Sequence, residues 1–275
     1  MTSDARLMPS GSSYDAIPDF GLLYDSVPAY AARRDVAFYV EEAAGVESPI
    51  VELGSGTGRI LLPLARAGHT VVGLDGSRNM LARCRAKLLD EPEAVQRRVA
   101  LHEGDVREFE LGRQFELVIA PFRVVQQLTT IQDQLRFLRD VRRHLTPNGR
   151  FIFDVFNPNF AAIAAADGSE HEDTPQQPLP DGGSLRRTAR ISRVRWADQV
   201  SETELIYYVT PAPGAKAHRY VQSFEMRWYG IAEVQHLLAR CGFEVLAVHG
   251  NFDRSPLTDG SPEQVVSARR RADSM

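Results

Sequence analysis

Two patterns of apolar residues divide the chain. From residue 50 to about 156, apolar runs recur at 50–53, 70–74, 99–103, 115–120 and 151–156. Segments with helical spacing lie between them: Ile60, Leu61, Leu64 and Ala65; then Met80, Leu81 and Leu88; then Leu135, Leu138, Val141 and Leu145. Near-continuous runs alternating with helices predict an α/β fold whose parallel strands are covered on both faces. The stretch 158–183 is rich in Ala, Asp, Gly and Pro and reads as a linker or mobile loop. Strict alternation then sets in at 187–196, 202–209 and 219–229. In the last segment Tyr220, Gln222, Phe224, Met226 and Trp228 share one face. An antiparallel β meander is predicted there, as pocket wall in preference to dimer surface. A helix over 231–241 and a strand pair over 243–248 and 263–268 close the chain.

Chemistry concentrates at the end of the first run. Glu52 leads into Gly54, Ser55, Gly56, Thr57, Gly58 and Arg59, and the next run ends on a second acid, Asp75. Strand, glycine turn and helix in succession put bare backbone where a ligand can approach. Asp75, some 20 residues on, suits a ribose, because a carboxylate accepts from two hydroxyls. A dinucleotide fingerprint needs G-x-G-x-x-G, and here Arg59 fills the third glycine's slot. Glu52 would repel a pyrophosphate and suits a positively charged ligand.

These residues resemble motif I of the class I S-adenosylmethionine (SAM)-dependent methyltransferases, E/D-x-G-x-G-x-G. Further landmarks are Gly104-Asp105-Val106 after the third run and Leu145-x-Pro147-x-Gly149 before the fifth. The helix, Gly242-Phe243, strand, loop and strand at the end complete them. The resemblance implies a Rossmann-like, seven-stranded, mostly parallel sheet with the last strand antiparallel, plus the inserted meander. Its expected layout is an N-terminal lid and helix (1–45), the SAM-binding domain (46–158 and 230–275) and a β cap (159–229). The implied cofactor contacts are Glu52, Gly54, Ser55, Gly56, Arg59, Asp75, Gly76, Met80, Asp105, Val106 and Ala120. Tyr24 would lie over the methionyl end, and Arg34 would meet its carboxylate, with Arg33 as the competitor. Pro121-Phe122-Arg123 replaces the N/D-P-P-Y/F of enzymes that act on nucleic-acid bases. Phe122, Arg123, Gln127 and Tyr229 are therefore candidate substrate contacts. The closest branch in kind is that of small-molecule glycine/sarcosine or amino-sugar N-methyltransferases, acting on an amine or hydroxyl. A non-catalytic SAM-binding protein, or a nicotinamide-dependent oxidoreductase, remains the alternative.

Composition narrows this little. The formal charge of −4 does not suit a nucleic-acid partner, and no run reaches membrane-spanning length. Cys84 and Cys241 form no CxxC, so no metal site is expected. A cytoplasmic enzyme with a small-molecule substrate, possible as a homodimer, is the expectation. Residues 1–13 are polar and expected to lack structure, and Arg269 to Arg271 read as a solvated tail. The aromatic segment from Tyr14 to Tyr39, interleaved with Asp15, Asp25 and Asp35, reads as a lid or a staple.

Overall fold

The computed structural model describes residues 13–272. Except for Ser13, the polar lead expected to lack structure falls outside them. Three short helices open the chain: α1 (Phe20–Asp25), α2 (Pro28–Ala31) and α3 (Asp35–Ala43). The alternating part follows as β1 (Ile50–Leu53), α4 (Leu61–Arg66), β2 (Val71–Asp75), α5 (Arg78–Leu89), α6 (Glu93–Gln96), β3 (Val99–Glu103) and β4 (Phe115–Ala120). Then come α7 (Ile131–His144), β5 (Leu145–Phe156) and α8 (Phe160–Ala164). A second group of strands is β6 (His171–Pro178), β7 (Ser184–Arg195), β8 (Val200–Thr210) and β9 (His218–Arg227). The chain closes with α9 (Ile231–Arg240), β10 (Phe243–His249) and β11 (Glu263–Arg270).

The main sheet has seven strands in the order β10-β11-β5-β4-β1-β2-β3. Strands β1 to β5 run parallel, and β11 is antiparallel to both β5 and β10. The runs are apolar throughout because both faces are covered. Val51, Leu53, Val118, Phe151 and Phe153 pack with Phe137, Leu138 and Val141 of α7 and with Leu238 of α9. Ile50, Leu117, Ile119 and Ile152 pack on the other side with Phe38 and Tyr39 of α3 and Leu61 of α4. A third cluster joins Phe20, Leu23 and Val27 to Leu185 and Tyr207 of the second sheet, with Met80 between them.

That second sheet is antiparallel, in the order β6-β7-β8-β9. Its edge strand β6 falls inside the stretch read as a linker. The reason is physical: β6 is mostly exposed, contains Pro175 and Pro178, and pairs with β7 in an irregular register, so it has no inward apolar alternation to betray it. The basic tail reading also needs correction. Arg269 and Arg270 belong to β11, where Arg269 pairs with Glu244 at 2.7 Å and Arg270 donates to the Leu145 carbonyl at 2.6 Å.

Candidate active site

The carboxyl ends of β1, β2, β4 and β5 meet along one edge, and the glycine loop turns there. Gly54, Gly56 and Gly58 have φ of 72°, 54° and 80°, a region that only glycine enters without cost. Asp75 secures the loop from the neighbouring strand. One of its oxygens accepts from the Gly56 N–H and the other from the Ser77 N–H, each at 2.8 Å. Each oxygen keeps a lone pair for a hydroxyl. Burial raises the Asp75 pKa despite these two bonds. Glu52 is buried in β1, and its Oε2 has no hydrogen-bond partner among the described residues. Burial, with Asp75 and Asp35 nearby and Arg59 only partly countering, pushes its pKa well up.

Three of the four aspartates between Tyr14 and Tyr39 fasten that segment to this edge. Asp15 accepts from Ser77 Oγ at 2.7 Å and from the Asn79 N–H at 2.9 Å, so it caps α5 from outside. Asp25 accepts from Thr57 Oγ1 at 2.7 Å and pairs with Arg83 at 2.8 Å. Asp35 takes both terminal nitrogens of Arg59, at 2.6 and 2.7 Å. Burial alone would raise the Asp35 pKa, but Arg59 and Arg33 outweigh it and leave it lowered.

An aromatic group stands beside the glycine loop. The Tyr24 and Tyr30 rings lie 4.5 Å apart, and Phe122 meets them edge-on at 6.3 and 5.1 Å. Phe122 and Arg123 hold positive φ, 57° and 70°, which is unusual for side chains of this size. Asp154, in the middle of an apolar run, explains how that turn is held. Its Oδ1 accepts from the Phe122 N–H at 2.8 Å and from Tyr39 at 2.9 Å, and its Oδ2 from Arg33 at 2.9 Å.

Above this edge lies a cavity of about 430 Å³. Tyr14, Tyr24, Tyr30, Phe122, Arg123 and Gln127 form one side. Phe156 and Ile163 line the rim, and Ile191, Leu205, Gln222, Phe224, Met226 and Trp228 of the second sheet and its end form the other side. Asp173, an acid in this lining, is bound through both oxygens by Arg187 at 2.9 Å. Arg187 also donates to the Tyr30 hydroxyl at 2.5 Å. Tyr14 is half-buried, and the loss of solvent around its hydroxyl pushes its pKa up to about 12.

The cofactor candidates stand mostly around one edge. Ala120 is buried at the end of β4, and Met80 packs under the aromatic segment with its Cε toward Gly56. Gly76 faces the Gly104 carbonyl across open backbone. Asp105 stands after β3, held by Arg107, with Val106 packed on the core. Ser55 differs: its buried hydroxyl turns inward to Gly73, leaving only its backbone toward the edge.

Two candidates lie elsewhere. Arg34 is exposed, while Arg33 turns inward onto Asp35, Asp154 and Glu263. The N-terminus of α3 presents one of two adjacent residues to the core, and composition does not say which. Tyr229 is fully buried and does not line the cavity; its hydroxyl donates to the Val125 and Leu128 carbonyls at 3.2 and 3.1 Å. It braces the loop after β4, and Trp228 before it lines the cavity instead. Reading by residue also passed over Arg187, Asp173 and Phe156. Of the site's unassigned residues, Tyr14 and Tyr30 belong to the aromatic segment already singled out, and Asp154 carried a signal of its own, an acid embedded in F-I-F-D-V-F.

Comparison with known proteins decides between the ligands this edge could take. Residues 50–149 match the family model described as a methyltransferase domain. The chain is a SAM-dependent methyltransferase. The enzyme is 27% identical to the cypemycin N-terminal methyltransferase of a Streptomyces species, over 81% of this chain and 83% of that protein. It is 26% identical to the dTDP-3-amino-3,4,6-trideoxy-alpha-D-glucopyranose N,N-dimethyltransferase of Streptomyces venezuelae, over 85% and 91%. Its fold matches that of the CcbJ methyltransferase from Streptomyces caelestis with a TM-score of 0.77 at 24% identity, covering 96% and 100% of the two chains. Among the described residues of the methyltransferase, no helix is long and apolar enough to cross a membrane, and no His/Cys/Asp/Glu cluster could hold a metal.

Proposed function

We propose that the enzyme methylates an amine nitrogen of a small molecule held in the cavity beneath the second sheet. The observation that carries this reading is the state of Asp173. This acid in the cavity wall has both oxygens committed to Arg187, so it is no free base for a hydroxyl. An amine that arrives deprotonated needs none. The relatives named above act, by their names, at an N-terminus and at an amino sugar, both of them nitrogen sites.

The unpartnered Glu52 Oε2 and the open backbone at Gly76 suit a ligand with an ammonium group and no phosphate. In this reading Glu52, Gly54, Gly56 and Arg59 frame the methionyl part, Asp75 and Gly76 the ribose, and Met80, Asp105, Val106 and Ala120 the adenine end. SAM supplies an electrophilic methyl group on a sulfonium. The work left to the protein is alignment and exclusion of water. Tyr24, Tyr30 and Phe122 offer ring faces to a cation, and Gln127 and Gln222 offer polar contacts in a mostly apolar wall.

The test is incubation with SAM and matched panels of amines and alcohols, with products read by mass spectrometry. Methylated amines without methylated alcohols support the reading. Methylation confined to alcohols overturns the choice of nitrogen.

A further inference from the structure

The cavity contains three arginines, and their partners differ. Arg187 is saturated by Asp173 and by Tyr30. Arg227 has Glu233 at 2.8 Å, with Gln199 and the Asp198 carbonyl each at 2.7 Å on its terminal nitrogens. Arg123 has one ion pair among the described residues, with Glu263 at 3.5 Å. That Glu263 oxygen is already taken by Arg33 at 2.8 Å. Arg123 Nε, like Arg227 Nε, is buried without a hydrogen-bond partner among the described residues, but Arg227 has three close partners on its terminal nitrogens. The Arg123 Cζ sits over the Phe156 ring, 3.3 Å from its centroid, at the cavity wall. Its backbone sits in the left-handed region next to Phe122, the place in a fold where strain is tolerated for function.

We propose that Arg123 is an anion subsite, and that the acceptor amine carries a carboxylate or phosphate which this guanidinium grips. The inference rests on the methyltransferase reading of the cavity and adds a substrate class to it. A planar fork held against an aromatic ring is matched to a two-oxygen anion. Asp173 does not oppose the anion, because Arg187 neutralises it. Burial lowers the pKa of Arg123, with Arg33 adding to it, although Glu263 and Asp154 act the other way; the one counter-ion it shares with Arg33 does not offset its burial. The apolar lining from Phe224, Met226, Trp228 and Ile191 fits the remaining body of the molecule.

The experiment is calorimetry on the full chain saturated with S-adenosylhomocysteine. The probes are phenethylamine, L-phenylalanine and phenyl phosphate, which share a ring and differ in charge. The expected result is that one anionic probe binds about tenfold or more tightly than phenethylamine; which one it is separates carboxylate from phosphate. Arg123→Gln abolishes that preference and leaves the affinity for S-adenosylhomocysteine unchanged, while Arg123→Lys, charged but without the fork, keeps part of the preference. Equal or absent binding of the probes overturns the proposal, as does a preference that survives Arg123→Gln. Weaker S-adenosylhomocysteine binding in Arg123→Gln also overturns it, by assigning the arginine to the cofactor. If S-adenosylhomocysteine does not bind the wild type at all, the methyltransferase reading fails first.

Discussion

Asp154 accepts the Phe122 N–H at 2.8 Å, and this bond links the middle of the sheet to the turn that lines the cavity. The same carboxylate holds Tyr39 and Arg33, so an acid buried in β5 organises α3 and the loop after β4 together. Asp154→Ala leaves Arg33 short of a partner and the Phe122 N–H unbonded. It should cost about 3–5 kcal/mol of stability, as breaking a buried ion pair does. Asp154→Asn, which keeps an acceptor for Phe122, should cost less. Urea unfolding of the three proteins checks the order, and equal stability of wild type and Asp154→Ala would contradict it.

Glu52 sets function against stability. Its raised pKa means that the folded protein binds the proton more tightly than the unfolded chain. The stability it contributes is therefore present at low pH and is lost as pH rises through the folded-state value. Glu52→Gln should then be the more stable protein at neutral pH, by about 1–3 kcal/mol, the cost of one buried unsatisfied group. The difference should shrink toward the ordinary carboxylate range. The same substitution should weaken S-adenosylhomocysteine binding. Thermal unfolding against pH tests the first statement, and a stability difference independent of pH would refute it.

Gly54 should tolerate no side chain. Its φ is 72°, and a Cβ there would run into the Val124 side chain. Gly54→Ala should lose about 1–2 kcal/mol from the backbone alone, with more from the clash. It should also displace the turn that carries Phe122. Cofactor affinity and the near-ultraviolet dichroism of the aromatic group should both fall. Unchanged binding would show that the loop is softer than its dihedrals imply.

Trp228 and Tyr229 separate pocket from core. Trp228→Ala should raise the KM for the amine with little change in cofactor affinity, since its ring lines the cavity. Tyr229→Phe removes a hydroxyl bonded to two buried carbonyls and should cost about 1–2 kcal/mol of stability. Steady-state kinetics and denaturant unfolding of both variants test the division. A reversal of the two effects would put the strand end in the opposite register.

The glycine loop and its flanking acids were legible in the sequence because their requirements are local. Three glycines at positive φ, an acid before them and an acid ending the next strand are a chemical description in themselves. The main sheet was legible because apolar runs covered on both faces leave no ambiguity of period. The errors come from phase and from edges. Arg34 for Arg33 and Tyr229 for Trp228 are single-residue shifts where an element begins or ends, and neighbouring residues there face opposite ways. Strand β6 has water on most of its surface and proline in its run, so no pattern marked it. Arg187 and Asp173 meet across two strands of the second sheet, and nothing local in either segment announces the pair.

The most direct measurement of the central claim is calorimetric titration with S-adenosylhomocysteine, with Asp75→Ala beside the wild type and NAD as control. Asp75 anchors the Gly56 and Ser77 amides and is the proposed ribose acceptor. The account predicts binding of the thioether to the wild type, a loss of about tenfold or more in Asp75→Ala, and no binding of NAD. Binding of NAD without the thioether, or equal affinity in Asp75→Ala, would contradict it.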